Sequence, residues 1–452
     1  KLVKTDIAPR GAIRELVPEA EDADWDPSDA AGGRLAVVFS SGTGGESRLE
    51  HPIGRVLYRA RSIRHPRFSP DGRHIAFLED TSSVALGGRV GMVDLEGRFT
   101  ALTGDYRSAR GVAWSPRGDE VWFSAGAWLG DRALRAVDLR GRERLVLAAP
   151  SSLTLWDIAA DGVLFTRDED TRGLVGVPPG ETAERDLSLY DNAGVAGLSA
   201  DGRLLLFTDR FGTYVRSTGD SSPPMPLGFT EGFADDLSRD GTKVLATVAS
   251  PSRLVIVPLG PGDRRELPAH GIVAYSGALW FPDGRRILFN GARAGEDIRA
   301  YVQDVEGGPP RAFTPPKTRI LALSPDGEWA AGNGPHAEED GVDRAKPSGG
   351  IWLWPVAGGP PRVVPRSQRE DRPVAWTADG DGLWVFRRDE VPARVFRLDI
   401  ATGRRELTRR LMPPDAAGVE SIPMFRTTPS GETYFYTYRR VLSKLYLARD
   451  LR

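Results

Sequence analysis

The sequence predicts an all-β protein: a β-propeller of about ten four-stranded antiparallel blades, closed as one large ring or as two smaller ones. Three observations predict it. A unit made of an apolar stretch, a Ser-Pro-Asp-Gly turn or a relative of it, and a second apolar stretch recurs along the 452 residues. The copies lie mostly 39 to 53 residues apart, a period that marks blade architectures. Glycine (52) and proline (35) are abundant and fall regularly at these turns.

The clearest copy is Arg67-Phe68-Ser69-Pro70-Asp71-Gly72-Arg73-His74-Ile75-Ala76-Phe77. A degenerate first copy runs from Trp25-Asp26-Pro27 to Leu35-Ala36-Val37-Val38-Phe39. The others centre on Gly118, Asp161, Asp201, Asp240, Asp283, Asp326, Asp379 and Ser430. Asp-Gly between apolar runs is a hairpin signal, because the turn needs a positive φ that glycine adopts freely. Ile75-Ala76-Phe77-Leu78 and Leu204-Leu205-Leu206-Phe207 are apolar at successive positions, so they should be covered on both faces. A more polar second hairpin usually follows, as at Arg299–Gly308 and Val395–Gly403, and supplies the outer strands.

The ends refine the expectation. Residues 1–16 parallel Phe396–Leu407, so the chain should begin in the outer hairpin of a blade, with the strand around Ile13 latching the last one. The alternative is that earlier blades precede Lys1. Residues 422–452 form the last blade, with strands expected through Met424-Phe425, Tyr434-Phe435-Tyr436 and Leu445-Tyr446-Leu447. The whole of residues 1–452 then belongs to the repeat region. Because Lys1 is not a methionine, a preceding segment is expected.

Charges nearly cancel at −2, which gives no support to nucleic-acid binding. The absence of cysteine excludes disulfides, thiolate metal sites and a cysteine nucleophile. No apolar run reaches the length of a membrane span.

Pro-Asp-Gly hairpins without the Gly-His and Trp-Asp pairs of WD repeats resemble the bacterial WD-like repeats of TolB-like propellers. Arg48–Tyr58, Arg142–Leu147, Pro179–Thr182, Leu411–Asp415 and Tyr438–Ser443 further resemble the C-terminal propeller region of bacterial Ser/Thr protein kinases. That resemblance implies an extracytoplasmic, periplasmic sensor region tethered to a membrane kinase. The kinase itself is missing, since no Gly-rich loop before a strand lysine, His-Arg-Asp or Asp-Phe-Gly occurs. The chain therefore reads as a fragment, a processed ectodomain or a freestanding relative.

Catalytic motifs are equally scarce. Gly-x-Ser-x-Gly is absent, and the five histidines (51, 65, 74, 270, 336) lack metal-ligand spacing. His51 and His74 read as structural. Asp168-Glu169-Asp170 and Asp379-Gly380-Asp381-Gly382 fall short of a calcium loop and read as hydrated turns. No catalytic residue, resident cofactor or metal is expected. The function expected is non-enzymatic sensing or protein interaction with a protein or small-ligand partner. A hydrolase or lyase using channel carboxylates is the alternative, and a structural subunit of a larger assembly is a third reading.

Candidate binding residues come from length variation, since variable loops on rigid scaffolds often carry function. The longest insertion, Gly332–Gly349, holds His336, Glu338, Glu339, Asp340 and Asp343. A blade-to-blade connection is expected over Thr408–Ser421, with Arg409 and Arg410. Trp128 and Tyr190 fall in or near other connections expected on the same face, as do Tyr106, Trp156, Phe229, Phe233 and Tyr275. The plain structural reading is a solvated acidic loop with core aromatics. Deletion of residues 335–347 should abolish partner capture in a pull-down; undiminished capture would remove the insertion from the binding surface.

Overall fold

The protein is described from a computed structural model covering residues 2–4, 14–29, 34–40, 46–80, 87–127, 130–159, 161–188, 192–209, 212–220, 222–228, 232–249, 251–334, 350–388, 390–449 and 451. Every regular element among them is a β-strand, arranged as a multi-blade propeller. No helix of these residues is long and apolar enough to cross a membrane.

The recurring turn has one construction. In the copy at Ser69, the Gly72 N–H donates to Ser69 O at 2.8 Å, and the hairpin closes with Ser69 N to His74 O at 2.8 Å. Ser69 Oγ donates to Asp71 at 2.6 Å, and the His74 N–H donates back to Ser69 Oγ at 3.0 Å. Gly72 sits at φ 70°, the left-handed conformation in which a Cβ is strained. Serine fixes the entry, aspartate the tip and glycine the exit, so the motif specifies the hairpin locally.

The chain divides into two compact units, residues 1–170 with 441–452, and residues 171–440. In the first, three complete four-stranded sheets follow one another over Ala20–Ala60, Ile63–Ala101 and Ser108–Leu147. Next come Ser152–Ala159, the opening of the strand Gly162–Val177 and the end of the strand Tyr434–Ala448. Phe165 stacks on Tyr446 there, with ring centroids 5.6 Å apart. Leu2–Lys4 pairs with Arg14–Val17 in a two-stranded sheet of its own.

The second unit is a ring of six sheets. Five are consecutive hairpin pairs whose first strands are Gly194–Leu198, Gly232–Leu237, Ile272–Trp280, Ile320–Leu323 and Arg372–Trp376. The sixth is assembled from both ends of the unit. Its order is Val419–Thr427, the start of Tyr434–Ala448, the end of Gly162–Val177, and Arg185–Asp186. One face buries Val175, Phe425 and Tyr436 against the sheet of residues 372–411. The other buries Leu174 and Phe435 against Val195, Leu205 and Phe207 of the next. Fully burying each such aromatic contributes about 1.5–3 kcal/mol.

Ile13, expected to latch the last blade, lies outside the described residues, and the adjoining strand Arg14–Val17 pairs with Leu2–Lys4; the last blade is completed by residues 171–177 and 185–186. Their glycines explain this, because a Cβ on Gly176 would lie 2.1 Å from Tyr434 O and one on Gly173 2.3 Å from the Tyr438 ring. Only bare backbone lets the aromatic strand come so near. The terminal segment has two strands, not three, since Tyr434–Ala448 is continuous. The fourth and tenth turn copies consequently share the long strands Gly162–Val177 and Tyr434–Ala448, which join them in one hydrogen-bonded sheet.

Glu184 fastens the closing sheet, accepting from Tyr434 Oη at 2.9 Å and from Tyr436 Oη at 3.0 Å. Glu184→Ala would strand both hydroxyls and should lower the unfolding free energy by about 1–3 kcal/mol in urea denaturation, with Tyr434→Phe costing less.

Candidate functional site

Every inner strand of the six-sheet unit carries a register irregularity near its middle, such as Val195/Gly197, Ala234/Asp236 and Pro373/Ala375. Such bulges re-aim side chains. Two positions before the residue that opens each turn stand Gly197, Asp236, Leu279, Ala322, Ala375 and Arg426, and all six line one central cavity of about 500 Å³. A volume of that order matches a small-molecule site. Four of the six are small or apolar; the other two bear opposite charges.

Asp235 is the extra residue of its bulge. Its Oδ2 accepts from Thr247 Oγ1 at 2.6 Å. Asp236 Oδ2 accepts from the Trp280 N–H at 2.8 Å, and Oδ1 from the Leu237 N–H at 2.9 Å. Both carboxyls are surrounded by protein while remaining touched by the cavity. Burial pushes Asp235 up to about 7, opposed first by the Thr247 hydrogen bond, and Asp236 up to about 6, opposed by the two backbone donors.

Arg426 Nε donates to Ala196 O at 2.9 Å and Nη1 to Phe425 O at 3.0 Å. Burial pulls its pKa down, with Asp236 the largest opposing influence. Neither carboxylate comes within the 4 Å of an ion pair, so the guanidinium is only partly compensated. Arg239, Arg372 and Arg388 also line the cavity, with Trp280, Trp376, Phe386 and Met424 supplying apolar wall.

The sequence-predicted residues are not brought together here. His336, Glu338, Glu339, Asp340, Asp343, Trp128, Tyr190 and Phe229 lie outside the described residues. Arg409 and Arg410 are corrected: they belong to the outer strand Arg405–Leu411, not to a loop. That strand is prolonged because Thr408 Oγ1 donates to Val395 O at 3.1 Å and Arg409 lies 4.2 Å over the Tyr434 ring. Arg410 is exposed opposite Arg394. Trp156, Phe233 and Tyr275 also sit within strands.

Other singled-out groups are structural. His51 is buried, its Nδ1 3.0 Å from Leu35 O and its Nε2 3.4 Å from Asp26. Asp168 lies within a strand, where it accepts from Thr154 at 2.5 Å and Ser443 at 2.7 Å and faces Arg132. Asp379 holds its own turn through Thr377. Among the described residues no group of three or more His, Asp or Glu side chains could hold a metal ion.

No protein-family model and no curated protein matches the chain. Among solved structures it is similar to a putative TolB from Agrobacterium tumefaciens, at 20% identity and a TM-score of 0.44, over 60% of this chain and 98% of that one. It is also similar to a chain of a nidogen/laminin complex, at 15% identity and a TM-score of 0.38, over 52% of this chain and 91% of that one. A third similarity is to the GH74 enzyme of Niastella koreensis, at 14% identity and a TM-score of 0.32, over 91% of this chain and 68% of that one.

Asp235 and Asp236 hold their protons more tightly in the fold than in the unfolded chain. Their contribution is therefore most favourable below about pH 4 and is lost as pH rises toward 7, at up to about 1.4 kcal/mol per pH unit for each group. Asp235→Asn and Asp236→Asn should thus gain stability relative to wild type across that window in denaturation series taken at successive pH values.

Proposed function

We propose that this chain is a non-enzymatic sensing propeller whose six-sheet unit takes a small ligand into its channel. The observation that carries the reading is the cavity itself, reached by all six inner strands and holding charged side chains at two of six equivalent positions. Burying such charges is unfavourable unless something compensates them, and the fold compensates Arg426 only in part. An extracytoplasmic location and tethering to a membrane kinase belong to the same proposal. They draw on the resemblance of Arg48–Tyr58 and Leu411–Asp415 to the kinase-linked propellers.

The hydrolytic alternative has one observation in its favour, the two carboxyls with raised pKa. Against it, Asp235 and Asp236 are neighbours on one strand, and their oxygens are held by Thr247, Trp280 and Leu237. Carboxylate-based glycoside cleavage wants two groups flanking the scissile bond.

Met424 lines the channel and is 40% exposed, so enlarging it should spare the core. In an NMR screen of neutral, cationic and anionic fragments, wild type should give hits whose affinity falls at least about tenfold in Met424→Trp. Hits indifferent to that substitution would place binding elsewhere. Turnover of a glycan panel lost in Asp235→Asn would favour the hydrolase.

A further inference from the structure

We infer that the outer edge of Val441–Ala448, in the first unit, is a docking site for an extended, acid-bearing segment of a partner protein, which adds to the sheet as its fourth strand. The other three sheets of that unit each have four strands and end in Val56–Ala60, Phe99–Ala101 and Glu143–Leu147. The fourth sheet has three there: Ser152–Ala159, the opening of Gly162–Val177 and the end of Tyr434–Ala448. Among the described residues no strand pairs along the outer edge beyond Arg440. Burial shows what is missing. No residue of the third strands Ser47–Glu50, Arg89–Asp94 and Ala133–Asp138 is exposed, because a fourth strand flanks each. At the corresponding place every residue from Leu442 to Leu447 is exposed, Leu445 by 64% and Leu447 by 52%. An exposed apolar edge strand is a template for pairing with another chain.

The strand is held from its inner side. Tyr446 stacks on Phe165 with ring centroids 5.6 Å apart, and Ser443 Oγ donates to Asp168 at 2.7 Å. The open edge is therefore already in place, and an incoming strand has only itself to order. Charge selects the occupant. Lys444 and Arg449 are exposed with no ion-pair partner among the described residues, and no acid occurs from Val441 to Arg449. Acids of the neighbouring strand are engaged, Asp168 by Arg132 and Glu169 by Arg167. A second copy of this strand would add two more cations to the edge, whereas acids on a partner strand would pair with Lys444 and Arg449. Apolar residues between those acids would cover Leu445 and Leu447 on one face of the sheet and Leu442 and Tyr446 on the other.

The test is fluorescence anisotropy of short labelled peptides titrated with the full chain. One peptide mixes valine and threonine with two glutamates, a second has lysines in place of the glutamates, and a third is the glutamate peptide with its backbone nitrogens methylated. The glutamate peptide should bind at least about tenfold more tightly than the lysine peptide. Methylation should abolish its binding, because ladder hydrogen bonds carry the affinity of an added strand. Lys444→Glu should reverse the charge preference, and Leu445→Asp should weaken the glutamate peptide at least about tenfold. Both side chains are exposed, so neither substitution touches the core, and the comparison of peptides on wild type stands without them. The inference is overturned if the glutamate peptide fails to bind at about millimolar concentration, if the lysine or methylated peptide binds equally well, or if Lys444→Glu leaves the preference unchanged. Sedimentation velocity of the full chain alone covers the other occupant. A monomer is expected, and a dimer dissociated by Leu445→Asp would overturn the inference by giving the edge to a second copy.

Discussion

A β-sheet edge presents unpaired N–H and C=O groups, and a ring of sheets is stable only when its last sheet leaves no inner gap. In residues 171–440 that requirement is met by one sheet built from both ends of the unit. Val419–Thr427 and the start of Tyr434–Ala448 supply two strands, while the end of Gly162–Val177 and Arg185–Asp186 supply the others. Much of the rest depends on this closure. It sets Val195 N against Thr437 Oγ1 at 2.8 Å, brings Glu184 to the two tyrosine hydroxyls and carries Arg426 into the channel. A loosened closing sheet would therefore disturb the channel's charge as well as the ring.

The channel shows how a repetitive scaffold acquires one distinctive place. Propeller blades are near copies, so equivalent positions should hold equivalent residues. At the channel layer they do not: Gly197, Leu279, Ala322 and Ala375 accompany Asp236 and Arg426. The same layer in the first unit also departs from small or apolar residues, with Asp24, Arg67 and Asp157 beside Ala113. There Asp24 accepts from the Phe68 N–H at 2.8 Å and burial raises its pKa, in parallel with Asp236 and Trp280. Each unit thus sets charge where the fold asks only for packing.

The hairpins were legible in the sequence because Ser69, Asp71 and Gly72, and their counterparts, act within six residues of one another. Strand sharing was not. Gly176 and Tyr434 are far apart along the chain, and the polar stretch Arg439-Arg440 with Ser443-Lys444 interrupts the apolar pattern that should have joined the last two expected strands. Arg409 and Arg410 were misplaced for a similar reason, since a ring contact to Tyr434 prolongs a strand whose local composition reads as loop. Asp235, Asp236 and Arg426 were missed although a signal existed. Aligning the ten turn copies on their opening residue exposes an aspartate pair and an arginine in a column otherwise small or apolar in that unit.

The strand Tyr434–Ala448 serves the second unit with its first residues and the first unit with its last. Residues 171–440 are in effect an insertion within the first unit, threaded between the two halves of its fourth sheet. During synthesis the first three sheets can form early, while that fourth sheet waits for residues made some 270 positions later. A ribosome that stalls before Tyr434 would release a chain in which both units expose a bare inner strand, a species that cellular proteolysis is suited to recognise. Completion of the two units thereby depends on a single strand.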